Sequence, residues 1–237
     1  MPPSKVPKPP TGNRLLDSLP RPDIERLRPH LEAVSIGVRH VVYEPNGSIK
    51  YVYFPVNCII SLVTYLEEGV SVEMATIGLE GMVGLPIFLG TDTMPSRAFG
   101  QVAGDAIRIT AAAFTKEINR NGPLVRVLNR YTQALFNQVA QTTACNRVHL
   151  VEQRCARWLL QTHDRVGSDQ FYLTQEFLAQ MLGVRRSGVS AVAGLLQKAG
   201  LIHYVRGRIT VVDRSGLEAS ACECYRVIKK EFERLLG

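Results

Sequence analysis

The spacing of apolar residues divides the chain near residue 119. From Val41 to about Ile109, short runs rich in Val, Ile, Tyr and Phe (HVVYE, YVYFPV, CIISLVTYL, VSVEMATIG, AFGQVA, DAIRI) are separated at close intervals by Gly, Pro, Asn and acidic residues. Such spacing predicts an antiparallel sandwich or barrel. After Ala111-Ala112-Ala113-Phe114 the period changes, and Pro123, a favourable first helical residue, opens a stretch without Gly or Pro as far as Gly167. Val125, Leu128, Leu135, Val139 and Thr142 recur there at helical spacing, with Leu124, Tyr131 and Phe136 beside them. A helix from Leu124 to Asn146 would be roughly 34 Å long and apolar on more than one side. The pattern alone fits a core helix and a seam between two copies equally well. A second helix, Leu150 to about His163, carries Val151, Cys155, Trp158 and Leu159 on one side.

Residues 173–200, LTQEFLAQMLGVRRSGVSAVAGLLQKAG, predict two short helices joined by a tight turn. Thr174 is placed to cap the first, Glu176 lies in its first turn, and Gly183 supplies the positive φ that ends it. The second runs from about Arg185 to Ala199. Ala179 is small where the two must cross, and Leu178, Leu182, Val184, Val189, Val192 and Leu196 form their shared core. Leu201–Val205 and Ile209–Val212 then flank Arg206-Gly207-Arg208, a hairpin with guanidinium groups at its tip. An ordinary helical hairpin has no reason to begin its exposed second helix with Arg185-Arg186-Ser187 or to be followed by such a wing. The combination predicts a DNA-binding winged helix-turn-helix.

Geometry then suggests roles. Arg186, at the start of the recognition helix, is the candidate for a bidentate contact with guanine. Arg185, Ser187 and Ser190 are candidates for base or phosphate contacts, Thr174 and Gln175 for the DNA backbone, and Arg206 and Arg208 for phosphates. Gly188 disfavours a helix relative to Ala and suggests a close approach by DNA backbone.

Charge agrees with this assignment. The 237 residues carry a formal +7; residues 1–119 hold 11 basic and 12 acidic side chains, and residues 120–237 hold 17 and 9. The surplus is therefore expected on a DNA-facing surface of the second half. No apolar run is long enough for a membrane helix and none follows Lys5 and Lys8 as a signal sequence would, so a cytoplasmic protein without membrane contact is expected. Eight of the 13 prolines lie in the first 29 residues, predicting a disordered tail over 1–12 and folding from about Asn13. Five scattered cysteines in a chain of this size read as reduced thiols. Cys222 and Cys224, two apart on an expected helix, would point away from each other, so no metal site and no cofactor are expected. His149-Leu-Val-Glu152-Gln153 lacks the second histidine of an inverted zinc-protease motif, and no catalytic triad or Cys/His pair is evident, so the chain is not expected to be an enzyme.

The β-rich half, the long helix and the winged helix with LTQEFLAQMLGVRRSGVS together resemble the Crp/Fnr superfamily of bacterial transcription regulators, over nearly the whole chain from Asn13. The resemblance implies an α+β chain with a cyclic-nucleotide-binding-like antiparallel β-roll (13–119), a dimerisation helix (120–148) and a winged helix-turn-helix domain (149–237). It also implies a homodimer on palindromic double-stranded DNA, contact with RNA polymerase, and a dimer seam through Leu128, Tyr131, Leu135 and Val139. Arg186 matches the family's base-reading arginine, but Ser187 stands where many members have Glu, and Ala191 where another arginine is frequent, so a different target sequence is expected. The possible effector pocket of the roll falls on Gly81, Met82, Arg97 and Ala98. Met82 replaces the ribose-binding carboxylate, Arg97 is out of register for a cyclic phosphate, and Val139 and Ala140 lack the hydroxyls that contact the base. Classical cyclic AMP is therefore not the expected signal, and any small-molecule effector is unidentified. The first cysteine is Cys58, which does not fit an N-terminal iron–sulfur cluster. No histidine lies between His40 and His149 to serve as a haem ligand in the roll. A regulatory module that controls a partner protein through its C-terminal helices is the alternative function.

Overall fold

The computed structural model describes residues 11–67 and 71–237, so most of the expected disordered tail, residues 1–10, lies outside the described residues. Asn13 is where packing begins. Its Oδ1 accepts from the N–H groups of Leu15 and Leu16, capping α1 (Arg14–Asp17), while its Nδ2 donates to the Pro55 and Gly81 carbonyls at 2.8 and 2.9 Å. A buried amide thus ties the first helix to the roll through bonds that the interior could not leave unmade.

After α2 (Arg21–Leu27) come β1 (Glu32–Ile36), β2 (Val41–Tyr43), β3 (Tyr51–Pro55), β4 (Ile59–Tyr65), β5 (Ser71–Ile77), α3 (Leu85–Phe88), β6 (Arg97–Val102), β7 (Gly104–Thr110) and α4 (Ala111–Ile118). The strands form two antiparallel sheets, ordered β1-β7-β3 and β2-β6-β4-β5. Every expected strand region is present, and β1 is additional: it is an edge strand with only Ile36 buried, so its sequence shows little apolar alternation.

The long helix α5 spans Pro123–Val148, 26 residues, or about 39 Å. Three of the four residues expected at a dimer seam do not face outward, and Val139 is half-buried. Leu128, Tyr131 and Leu135 are buried in the roll's core and Val139 packs against it, with the Tyr131 hydroxyl donating to the Met82 carbonyl at 2.8 Å. The roll needs that apolar stripe to close its own interior, so it is not free for a second copy. The outward stripe of α5 is Gln133, Phe136, Ala140, Thr143 and Arg147, where Phe136 is 69% exposed.

The remaining elements are α6 (Val151–Val166), β8 (Gln170–Tyr172), α7 (Gln175–Leu182), α8 (Arg186–Lys198), β9 (Ile202–Val205), β10 (Arg208–Val211), α9 (Arg214–Ser220) and α10 (Cys224–Leu236). Two expectations change here. The last helix packs on both domains rather than on the winged helix alone: α10 lies along α5, its Ile228 and Phe232 join the core of the roll, and its Tyr225 joins that of the winged helix. Cys222 and Cys224 do not share a helix either, because the chain breaks at Ala221–Glu223, and the two thiols come together instead of diverging. Among the described residues no helix is long and apolar enough to cross a membrane.

Candidate nucleic-acid interface

The helix pair forms as its sequence dictates. Thr174 caps α7, its hydroxyl accepting from the Phe177 N–H at 3.2 Å. Gly183 ends the helix at φ +62, a left-handed conformation open to glycine without strain. Arg185 is the N-cap of α8 and Arg186 its first residue. Leu178, Ala179, Leu182, Val189, Val192 and Leu196 are buried between the helices, while Val184 is half-buried. Arg185, Arg186, Ser187 and Ser190 are exposed, and the Ser190 hydroxyl donates to the Gln175 side-chain carbonyl at 2.7 Å, linking the two helices at their outer edge.

The wing is a β9–β10 hairpin whose central residues Arg206 and Gly207 both have positive φ, +50 and +82, the geometry of a tight type I′ turn. Strand β8 pairs with the other edge of β10 and makes a three-stranded sheet. The Leu173 N–H donates to the Gly207 carbonyl at 2.6 Å, and the Tyr204 hydroxyl donates to the Leu173 carbonyl at 2.7 Å, so the wing is fastened to the entry of α7. As a result Thr174, Gln175, Arg186 and Arg206 line one cleft of about 350 Å³, together with Tyr172 and Tyr204. Arg206 and Arg208 line an adjoining one of about 420 Å³ with His203. Among the described residues none of Arg185, Arg186, Arg206 and Arg208 has a carboxylate partner. The ion pairs among the described residues all use other side chains.

Tyr172 and Tyr204 escaped the sequence reading. Tyr172 is 54% exposed beside the wing turn, and a side chain at Gly207 would strike its ring at 2.8 Å. The usable signal was the alternation Gln170-Phe171-Tyr172, which buries Phe171 and turns its neighbours outward.

Residues 153–220 match the family model of the Crp-like helix-turn-helix domain. The fold as a whole is shared with FixK2 from Bradyrhizobium japonicum (TM-score 0.69, 16% identity, 81% of this chain and 98% of the other). A putative transcriptional regulator of the Crp/Fnr family from Eubacterium rectale is similar too (TM-score 0.66, 17% identity, 92% and 100%). So is the c-di-GMP-responsive global regulator CLP of Xanthomonas campestris (TM-score 0.63, 16% identity, 81% and 99%). The chain thus carries a Crp-like helix-turn-helix domain over residues 153–220 and shares the fold of these three proteins along most of its length. No curated protein matches it by sequence.

The Crp-like domain is docked on the roll, and the docking face is polar as well as apolar. Phe177 of α7 meets Phe99 of β6 edge to face, with ring centroids 5.9 Å apart, and Val63 and Phe99 are part of the winged helix core. Buried Glu73 of β5 accepts from the Trp158 indole at 3.0 Å, the Ser61 hydroxyl at 2.8 Å and the Gln101 amide at 3.2 Å. Burial nevertheless pushes its carboxyl above the ordinary range, against these hydrogen bonds and the nearby charges of Arg157 and Arg165. Arg165 pairs with Glu80 at 2.8 Å and hydrogen-bonds Thr76 and Gln138, joining α6, β5 and α5.

The expected effector residues divide between buried and half-buried positions. Met82 and Ala98 are buried, and a side chain at Gly81 would meet the Tyr131 ring at 2.8 Å, so α5 is pressed directly on that turn. Arg97 is the first residue of the interior strand β6, paired with Glu44 at 2.9 Å. A cavity of about 290 Å³ exists elsewhere, lined by Glu80, Gln161, Asp164, Arg165, Tyr225 and Lys229 among others. Among the described residues, Cys145, His149, Cys222 and Cys224 have side chains close enough to share a metal ion, outside the winged helix face.

Proposed function

We propose that the chain is a sequence-specific DNA-binding transcription regulator that acts as a homodimer on a palindromic site. The observation that carries this reading is the set of four exposed guanidinium groups, Arg185, Arg186, Arg206 and Arg208, at the start of α8 and on the wing, without a carboxylate partner among the described residues. A protein interior neutralises its cations, whereas a phosphate-facing surface leaves them available. Arg186 reads guanine O6 and N7; Arg185, Ser187 and Ser190 reach bases or phosphates; Thr174 and Gln175 sit on the backbone at the N-terminus of α7; and Arg206 and Arg208 hold phosphates. Gly188 fits this arrangement, because a side chain there would meet only a Val184 methyl at 4.0 Å, so nothing within the described chain requires glycine.

The dimer forms through the outward stripe of α5 centred on Phe136 and Ala140, and its two-fold axis imposes two-fold symmetry on the DNA. The roll senses an unidentified signal other than classical cyclic AMP, and RNA polymerase is the partner through which transcription changes. Selection of bound duplexes from a random pool by the purified chain tests the reading. A two-fold-symmetric motif with half-sites about 10–10.5 base pairs apart is expected; a pool that shows no enriched motif overturns it.

A further inference from the structure

We propose that Cys145, His149, Cys222 and Cys224 form a binding site for a single zinc ion. Cys145 lies in the last turn of α5 and His149 four residues later, which puts both side chains on one face of the helix end. Cys222 precedes α10 and Cys224 is its first residue, so the break between α9 and α10 turns both thiols toward α5. The three cysteines form a buried cluster of their own. The Sγ atoms of Cys145 and Cys222 are 3.5 Å apart, Cys224 Sγ is 3.5 Å from His149 Nδ1, and all four ligand atoms lie within 4.8 Å of one another. A tetrahedral zinc ion with Zn–S near 2.3 Å and Zn–N near 2.0 Å holds neighbouring ligand atoms roughly 3.5–3.8 Å apart. The observed spacing suits one ion, whereas a multi-iron cluster would hold its ligands farther apart.

The surroundings are those of an anionic metal centre. His149 presents Nδ1 to the thiols, while its other ring nitrogen, Nε2, is 3.2 Å from Glu223 Oε1. A carboxylate on the far nitrogen fixes the tautomer and orientation of a metal-bound imidazole. The Gln141 amide donates to Cys224 Sγ at 3.1 Å. Arg154 and Arg157 are buried, form no ion pair among the described residues, leave Nε without a hydrogen-bond partner, and act electrostatically on Cys145. Binding Zn²⁺ releases three thiol protons to solvent and leaves the site with a net charge of −1, an anion that Arg154 and Arg157 act on electrostatically. The ion would join the end of α5 to the junction of α9 and α10, and so fix the Crp-like domain relative to the long helix.

Cobalt(II) titration of the reduced, chelator-treated full chain tests this without any variant. One equivalent is expected to give thiolate-to-cobalt charge-transfer absorption and the intense visible bands of tetrahedral cobalt, both removed by one equivalent of zinc. Cys224→Ser should abolish these bands. Glu223→Gln, at an exposed position, should keep them but weaken affinity about 10–100-fold. Absence of saturable binding, bands unchanged in Cys224→Ser, or a reduced chain that binds no cobalt but forms a Cys145–Cys222 disulfide would each overturn the proposal.

Discussion

Arginines occupy two opposite environments around the winged helix. Arg154, Arg157 and Arg165 of α6 are buried, while Arg185, Arg186, Arg206 and Arg208 point to solvent. The positive surplus of the second half is therefore not all docking surface, as charge counting suggested: part of it is consumed inside the molecule, by Glu80 for Arg165 and, on the proposal above, by a thiolate-bound metal for the other two. Linear sequence gives charge but not its partners. The same residue type holds two domains together on one side and remains available to a polyanion on the other.

The difference can be tested from both sides. The largest expected effect is on the exposed set: if a dimer neutralises six to ten phosphates, DNA affinity should fall by about 10³–10⁵ between 50 and 200 mM salt, measured by fluorescence anisotropy, while the melting temperature changes little. A flat salt response would remove the exposed arginines from DNA contact. On the buried side, Phe99→Ala takes away the ring that Phe177 packs against. It should cost about 3–5 kcal/mol in chemical denaturation and raise hydrogen exchange in α7 and β5.

Arg186→Ala should cost about 1–3 kcal/mol on the preferred sequence and relax base preference at one position, whereas Arg208→Ala should weaken all sequences alike and lower the salt slope by about 1. Equal, uniform losses in both would show that Arg186 does not read a base.

Glu73 supplies a pH test. Its native carboxyl titrates above the ordinary carboxylate range because it is buried, so the folded chain keeps a proton that the unfolded chain has lost. Its contribution to stability should accordingly be greatest below the ordinary carboxylate value and fall as pH rises toward the raised native one, with a slope of at most about 1.4 kcal/mol per pH unit for one proton. Glu73→Gln should flatten that part of the stability profile. Gly188→Ala should have the smallest effect, gaining up to about 1 kcal/mol of stability from helix propensity while weakening DNA binding. A gain in both would show that nothing approaches that backbone.

Much of the interface was legible because its signals are local. Thr174, Gly183 and the Arg206-Gly207 turn act on their own backbone, and the apolar spacing of Leu178, Leu182, Val189 and Leu196 needs only helical geometry. Strand β1 was missed because an edge strand buries one residue. Leu128, Tyr131 and Leu135 were identified as a packing stripe, but their partner was not legible: a helix apolar on one side looks the same whether it faces its own sheet or a copy of itself. The setting of the expected effector residues was hidden for a related reason, since Gly81 and Met82 are adjacent to α5 only in space.

The sequence by itself determined the order of the elements, the helix-turn-helix and its wing, and the arginines at their exposed ends, because short-range periodicity and turn stereochemistry act within a few residues. Only the tertiary structure decided which face of the long helix is used up inside the chain, which arginines are buried, and that Cys145 and His149 meet Cys222 and Cys224 across some seventy intervening positions. Contacts of that kind depend on how the chain returns on itself, and residue spacing carries no record of the return.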